Sequence, residues 1–215
     1  MAMAVTEIFY SLQGESTRAG RPCVFVRFTG CDLRCSWCDT AYSFHGGTRR
    51  SREEIRAEIA KHPTRYVTLT GGEPLLQKEL PQLAAELVDA GYEVAVETHG
   101  QVPWEALPPE VIKIVDVKPP GSGEQATEAH LARLASLGPR DELKFVVASR
   151  EDFAWSEAVI RRLGLEGKHA ALLFSPVWGA VEWKDLAAWL LASGLDARMQ
   201  LQLHKLIWGP EVKGV

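Results

Sequence analysis

Long hydrophobic runs are missing from this sequence. No apolar stretch approaches the roughly 20 residues that a membrane-spanning helix needs, so no such helix is expected. A cationic excess is missing as well. With 24 basic against 28 acidic side chains the formal charge is -4, which gives the whole molecule no attraction for phosphates and makes direct nucleic acid binding unexpected. The opening MAMAVTEIFY has no basic segment ahead of an apolar one and does not read as a secretory signal, so the expected location is cytoplasmic. There is no internal repeat and no low-complexity linker; the glycines at 46 and 47 and the ProProGlySerGly run at 119 to 123 read as loops. Cysteine is scarce, with four in the chain, and three of them are crowded together.

What remains is the balance of an ordinary globular protein, 46% apolar and 24% charged over 215 residues. That length supports one substantial core better than two small ones, so one domain over 1–215 is expected. β-branched and aromatic runs predict strands at Pro22 to Phe28, Tyr66 to Thr70, Tyr92 to Thr98, Val111 to Asp116, Glu142 to Ala148 and Ala170 to Phe174, with a weaker one at Met199 to Leu203. Helical patterns alternate with them. Ser51 with Glu54 makes a capping box ahead of Ile55 and Ile59. Leu76, Leu80, Leu83, Leu87 and Val88 form a stripe that stops at Gly91, and further helices are expected at Glu124 to Leu137, Glu151 to Leu163 and Glu182 to Ala192. Repeated strand and helix units imply a mostly parallel sheet with helical crossovers, whose ligands sit at the carboxyl ends of the strands.

The crowded cysteines are Cys31, Cys35 and Cys38, in the stretch GCDLRCSWCDT. Three ordinary thiols so close would form an oxidation-prone cluster with no packing purpose. Structural zinc is a second reading and needs a fourth ligand. Cys23 is the candidate for it, although it lies in the strand-like run PCVFVRF. The third reading is a cubane iron-sulfur cluster, in which three thiolates leave one iron open for chemistry. Arg27, in the same run, falls on the strand face opposite Val24, Val26 and Phe28. Buried there it needs a partner, either a ligand carboxylate or an internal glutamate. Gln13, Gly14 and Glu15 read either as a polar turn or as groups suited to the hydrogen-bonding edge of a heterocycle.

The CxxxCxxC spacing, with Trp37 before the last cysteine, resembles the signature of the radical S-adenosylmethionine superfamily. ThrGlyGlyGluPro at 70 to 74 resembles that superfamily's glycine-rich turn. Within it, SerLeuGlnGlyGluSer at 11 to 16, the run from Arg27 to Thr40, GluThrHisGly at 97 to 100 and HisLysLeuIleTrpGlyPro at 204 to 210 resemble the 7-carboxy-7-deazaguanine synthase family of queuosine biosynthesis. The resemblance implies an α/β fold whose mostly parallel sheet forms a shortened partial (β/α)6 barrel. It implies a lyase that converts 6-carboxy-5,6,7,8-tetrahydropterin to 7-carboxy-7-deazaguanine with loss of ammonia. The alternative within the superfamily is a glycyl-radical-enzyme activase.

The cofactors so implied are a 4Fe-4S cluster on Cys31, Cys35 and Cys38, S-adenosylmethionine, and magnesium at Thr40. S-adenosylmethionine contacts are implied at Gly72, Glu73, Glu97, His99, Asp116, Lys118, Ser175 and Pro176. Substrate contacts are implied at Leu12, Gln13, Gly14, Glu15, Arg27 and Thr70, and no side chain is implied as a catalytic acid or base. AspValLys at 116 to 118 departs from the SerProLys of many members. A flavodoxin-like or ferredoxin-like electron donor and a homodimer complete what the resemblance implies. Replacing Cys31, Cys35 or Cys38 by alanine is expected to abolish turnover; full activity in any reconstituted variant would overturn the cluster assignment.

Overall fold

The computed structural model describes residues 2–215. Strands β1 (Met3–Leu12) and β2 (Pro22–Phe28) form an antiparallel hairpin, and β3 (Thr48–Arg50) pairs with the other edge of β1. Then follow α1 (Arg52–Ile59), β4 (Tyr66–Gly71), α2 (Leu80–Asp89), β5 (Glu93–Thr98), β6 (Ile112–Asp116), α3 (Glu128–Arg133), β7 (Glu142–Val147), α4 (Arg150–Leu163), β8 (Ala171–Pro176), α5 (Trp183–Ser193), β9 (Arg198–Met199) and α6 (Leu203–Trp208). All nine strands among the described residues lie in one sheet, ordered β3-β1-β2-β4-β5-β6-β7-β8-β9, and from β2 onward every pairing is parallel. The edges β3 and β9 are not joined, so the sheet is a partial barrel, as expected from the sequence.

Each strand face has its own job. Val24, Val26 and Phe28 point outward into the main core, against Ile55 and Ile59 of α1 and Leu80, Leu83 and Leu87 of α2. Cys23 and Phe25 point inward, where they pack with Tyr66, Ala95, Ile112 and Ile114 as the apolar base of the lumen. Arg27 is the next inward residue along β2, at the carboxyl end where the ligand is expected. The barrel is shortened between β5 and β6, where residues 99–111 contain no helix. Trp104, 4% exposed, packs in this connection, and its Nε1 donates to Ser136 Oγ at 3.2 Å.

The capping box at Ser51 and Glu54 is formed in both directions, at 2.7 and 3.2 Å, and Gly91 follows α2 with φ of 80°. Three expectations need correction. Leu76 lies in a single turn before α2 and is 43% exposed, because Pro74 starts that turn and the helix begins only at Leu80. The helix expected over 124–137 is the short α3, which starts after Thr127 once the loop at Pro120–Ser122 has ended with Gly123 at φ 77°. The weak strand at 199–203 pairs only at Arg198–Met199; Gln200 and Gln202 turn their side chains inward, and Leu203 starts a helix. The first strand, β1, escaped the sequence reading because its polar residues interrupt the alternation.

Phe153 of α4 is fully buried, its ring tilted at 4.8 Å from that of Phe174 on β8, which in turn stacks at 5.3 Å on Phe145 of β7. Phe153→Ala should cost about 3–5 kcal/mol, read as a lowered urea midpoint. A change under about 1 kcal/mol would mean that α4 is held by other contacts.

Candidate active site

The loop that follows β2 carries the cysteines and is braced on three sides. Gly30 N donates to Ser43 O at 2.9 Å, Arg34 N to Glu124 Oε1 at 2.7 Å and Ser36 N to Ser122 O at 2.9 Å. From β4, Glu73 N donates to Gly30 O at 2.8 Å. Cys31, Cys35 and Cys38 all line one cavity, which encloses about 1310 Å3 of empty space including its mouth. Burial pushes the Cys31 and Cys35 thiols up, and Lys118 works against that at Cys35.

Among the described residues, the one trio of metal-ligand atoms within 4.8 Å of one another is Cys31, Asp32 and His99; the three sulfurs do not form such a trio. Cys23 cannot be a fourth ligand. It is fully buried at the base of the lumen, 3.2 Å from Thr68 Oγ1, with its thiol pushed up to about 12 by burial.

The two glycines at the carboxyl end of β4 are there for the protein's own backbone. A Cβ on Gly71, whose φ is 148°, would lie 2.3 Å from Phe28 O, and one on Gly72 would lie 2.2 Å from Gly30 O and 2.9 Å from Cys31 Cβ. The turn therefore packs directly on the cysteine loop while Gly72 still lines the cavity. Glu73, expected to face the cofactor, is instead fully buried behind the wall. Its carboxylate accepts from Thr98 Oγ1 at 2.9 and 3.0 Å, His99 N at 3.0 Å and Leu75 N at 3.0 Å. His99 Nε2 lies 3.1 Å from Glu73 and 2.9 Å from Asp32. Glu73 thus fixes the end of β5, and His99 is the residue that reaches the cavity.

Inward positions of five strands place Arg27, Thr70, Glu97, Asp116 and Lys144 around the lumen. Leu12 at the end of β1 and Gln13, Gly14 and Glu15 of the β1–β2 connection complete this part of the lining. Lys144 Nζ donates to Glu15 Oε2 at 2.8 Å and stands 3.7 Å from Asp116 Oδ2. Burial alone would raise Glu15, but Lys144 reverses this and holds it at about 2. Glu97 moves the other way, raised by burial, which Lys144 only partly offsets. One ammonium thus divides two carboxyl groups into a firm anion and a group that holds a proton more readily. Gln13 Nε2 lies 3.2 Å from Glu97 Oε1, and Thr70 Oγ1 lies 3.4 Å from Glu97 Oε2. Glu97, expected among the cofactor contacts, therefore shares hydrogen bonds with two expected substrate contacts.

Asp116 accepts from Lys118 Nζ at 2.9 Å through Oδ2, while its Oδ1 is buried without a partner. Ser175 and Pro176 are buried and absent from the lining; Ser175 Oγ accepts from Gln200 Nε2 at 2.9 Å, and Val177 and Trp178 just beyond reach the cavity. Thr40 lies in the lining, its Oγ1 3.7 Å from Cys38 Sγ.

Sequence reasoning missed the wall made by α6. Leu203 N donates to Gly14 O at 2.9 Å, and a Cβ on Gly14 would lie 2.2 Å from His204 Nδ1, so this glycine makes room for the helix. Gln202 Nε2 reaches Glu15 Oε1 at 2.9 Å, and Lys205 Nζ reaches Asp39 Oδ2 at 2.8 Å. Lys144 was missed too, since a lysine in a strand gives no local sign that its partner lies 129 residues earlier.

Comparison with known proteins shows the family and the fold. Residues 25–116 match the Radical SAM superfamily. The chain is 46% identical to the 7-carboxy-7-deazaguanine synthase of Koribacter versatilis (strain Ellin345), covering 99% of this chain and all of that protein. It is 42% identical to the 7-carboxy-7-deazaguanine synthase of Chlorobaculum tepidum, over 98% of this chain and 96% of that one. In fold it is similar to the crystal structure of QueE from Escherichia coli, with a TM-score of 0.76, 24% identity and 95% of each chain covered. It is also similar to Streptococcus suis SuiB bound to S-adenosylmethionine, with a TM-score of 0.57, 9% identity, and 83% of this chain and 47% of that one covered.

Lys144→Met should destabilise the fold by about 3–5 kcal/mol at pH 7, because Glu15 would be left buried without its cation. Adding Glu15→Gln should recover most of the loss. Since folding lowers the Glu15 pKa from 4.5 to about 2, the stability lent by the pair is complete above pH 4.5 and is lost as pH falls through about 2. Urea titrations across that window check both statements; a single variant as stable as wild type would refute them.

Proposed function

The chain belongs to the 7-carboxy-7-deazaguanine synthase family of the radical SAM superfamily, and from that premise we propose that it converts 6-carboxy-5,6,7,8-tetrahydropterin to 7-carboxy-7-deazaguanine with loss of ammonia. The observation that carries this reading is a single cavity lined by three thiols together with a set of charged lumen residues that includes Arg27. The activase alternative lacks support, since relatives matching nearly the whole chain carry the synthase name.

Membership in the superfamily implies a 4Fe-4S cluster and S-adenosylmethionine. Cys31, Cys35 and Cys38 would hold the cluster, and their placement in one braced loop fits it. When bound, the two cofactors supply a carbon-centred oxidant that no protein acid or base can provide. The remaining work belongs to the protein. Gly72, His99, Asp116 and Lys118 line the same cavity as the thiols and are the groups offered to S-adenosylmethionine, with Asp116 Oδ1 still able to accept a hydrogen bond. Arg27 receives the substrate carboxylate. Gln13, Glu97 and Thr70 face the pterin ring with both donors and acceptors. Glu15 is already committed to Lys144 and Gln202 and supports the floor. Thr40 offers a hard oxygen beside the cluster loop for magnesium, which favours such ligands and keeps several waters. Burial of these groups excludes solvent and fixes the ring for hydrogen abstraction.

The reading extends to one domain over residues 1–215, working in the cytoplasm with a flavodoxin-like or ferredoxin-like donor and as a homodimer. Exposed Trp178, Trp183, Ile207 and Trp208 are consistent with a subunit contact. No helix among the described residues is long and apolar enough to cross a membrane.

Anaerobically reconstituted protein, given reductant, S-adenosylmethionine, magnesium and the tetrahydropterin, should form 7-carboxy-7-deazaguanine detectable by mass spectrometry. Arg27→Lys should lower kcat/KM by at least about tenfold, because a point charge replaces a planar fork. S-adenosylmethionine cleavage without any deazaguanine would retain the radical core and remove the substrate.

A further inference from the structure

Arg27 does not stand free in the lumen. Its Nε donates to Glu7 Oε1 at 2.7 Å, and the same oxygen accepts from Tyr42 OH at 2.8 Å. The guanidinium carbon lies 5.7 Å from the centre of the Phe9 ring and 5.8 Å from that of Tyr42. Among the described residues no other hydrogen bond or ion pair engages Arg27, so its two terminal nitrogens keep their donors while the side chain, 14% exposed, lines the cavity. A guanidinium held by its Nε edge presents the other end as a two-nitrogen fork that matches a carboxylate.

Glu7 reaches this place through an irregularity in β1. Val5 stands opposite Phe28, whereas Glu7 stands opposite Arg27, so Thr6 is an extra residue in the ladder. In a regular strand Glu7 would share the face of Val5, which is buried in the outer core. The bulge reverses this and turns Glu7 to the lumen side beside Arg27. Thr6 is tied down in turn, its Oγ1 2.7 Å from Thr29 Oγ1.

We propose that Glu7 is a positioning residue for the reaction, which the bulge presents and Tyr42 steadies, and that it holds the Arg27 fork ready for the carboxylate of the pterin. This rests on the reading that Arg27 receives that carboxylate. Tyr42 is suited to the task because its OH donates to the same Glu7 oxygen that accepts from Arg27. Prior orientation removes the entropy that a free arginine would lose on binding, so the benefit appears mainly in substrate affinity.

The test uses cluster-reconstituted protein with S-adenosylmethionine and magnesium. Steady-state kinetics with the carboxylated tetrahydropterin are paired with binding of two probes, 6-carboxypterin and pterin, which differ only in the carboxylate. Glu7→Ala should raise KM about 10- to 100-fold with a smaller fall in kcat. It should also remove the preference for the carboxylated probe while leaving pterin affinity unchanged. Glu7→Gln, which keeps an acceptor oxygen in place, should restore most of the preference, and Tyr42→Phe should weaken it several-fold. If Glu7→Ala proves unfolded, Tyr42→Phe and Glu7→Gln carry the same comparison. A wild-type preference that survives in Glu7→Ala, or equal loss of both probes, overturns the positioning role and leaves the proposed function standing. A wild type that does not distinguish the probes removes the carboxylate reading of Arg27, and the role of Glu7 falls with it.

Discussion

The site depends on a backbone contact closer than any side chain would permit. At the carboxyl ends of β2 and β4, Gly71 and Gly72 lie against Phe28, Gly30 and Cys31, and a single added methyl at either glycine would collide with main-chain atoms. Because the contact is between backbones, it fixes the first cysteine relative to the sheet with little freedom for rotamers to change the distance. Glu73 extends the same constraint to β5. Its amide holds Gly30 and its carboxylate holds Thr98 and His99, so three strand ends are locked by one buried residue.

Below that layer the lumen is organised by charge. Apolar residues such as Phe25, Tyr66 and Ile114 form its base and keep water away from the groups above. Glu15 and Glu97 would both be costly anions there, and a single lysine resolves the conflict by committing itself to one of them. The cavity therefore offers firm cations, a firm anion and a carboxyl group of intermediate character within one space. Such variety suits a substrate with a charged substituent on a hydrogen-bonding ring.

Much of this was legible in the sequence because it depends on short-range patterns. The cysteine spacing, the capping box at Ser51 and the alternation in PCVFVRF each carry their meaning within a few residues, and Pro22–Phe28 has the expected bounds. What escaped depends on distant partners. Glu73 looks the same in sequence whether it faces a ligand or caps a strand end; only the position of Thr98 and His99 decides. Arg27 was left between a ligand and an internal glutamate, and the structure supplies Glu7 without using up the guanidinium. No local pattern announces the bulge at Thr6, since it exists only relative to the register of β2.

The wall formed by α6 bears on the order of events as the chain leaves the ribosome. Glu15 and Gln202 are 187 residues apart in sequence, and Asp39, beside the last of the three crowded cysteines, must likewise wait for Lys205 near the carboxyl end. Chains emerge from the amino end, so the cysteine loop and the parallel strands behind it are present while one side of the lumen still stands open to solvent. Only when residues 200–205 dock does the cavity acquire its last wall. The residues made last thus finish the site, and a chain interrupted before residue 200 has every strand of the lumen yet leaves Glu15 and Asp39 without these two partners.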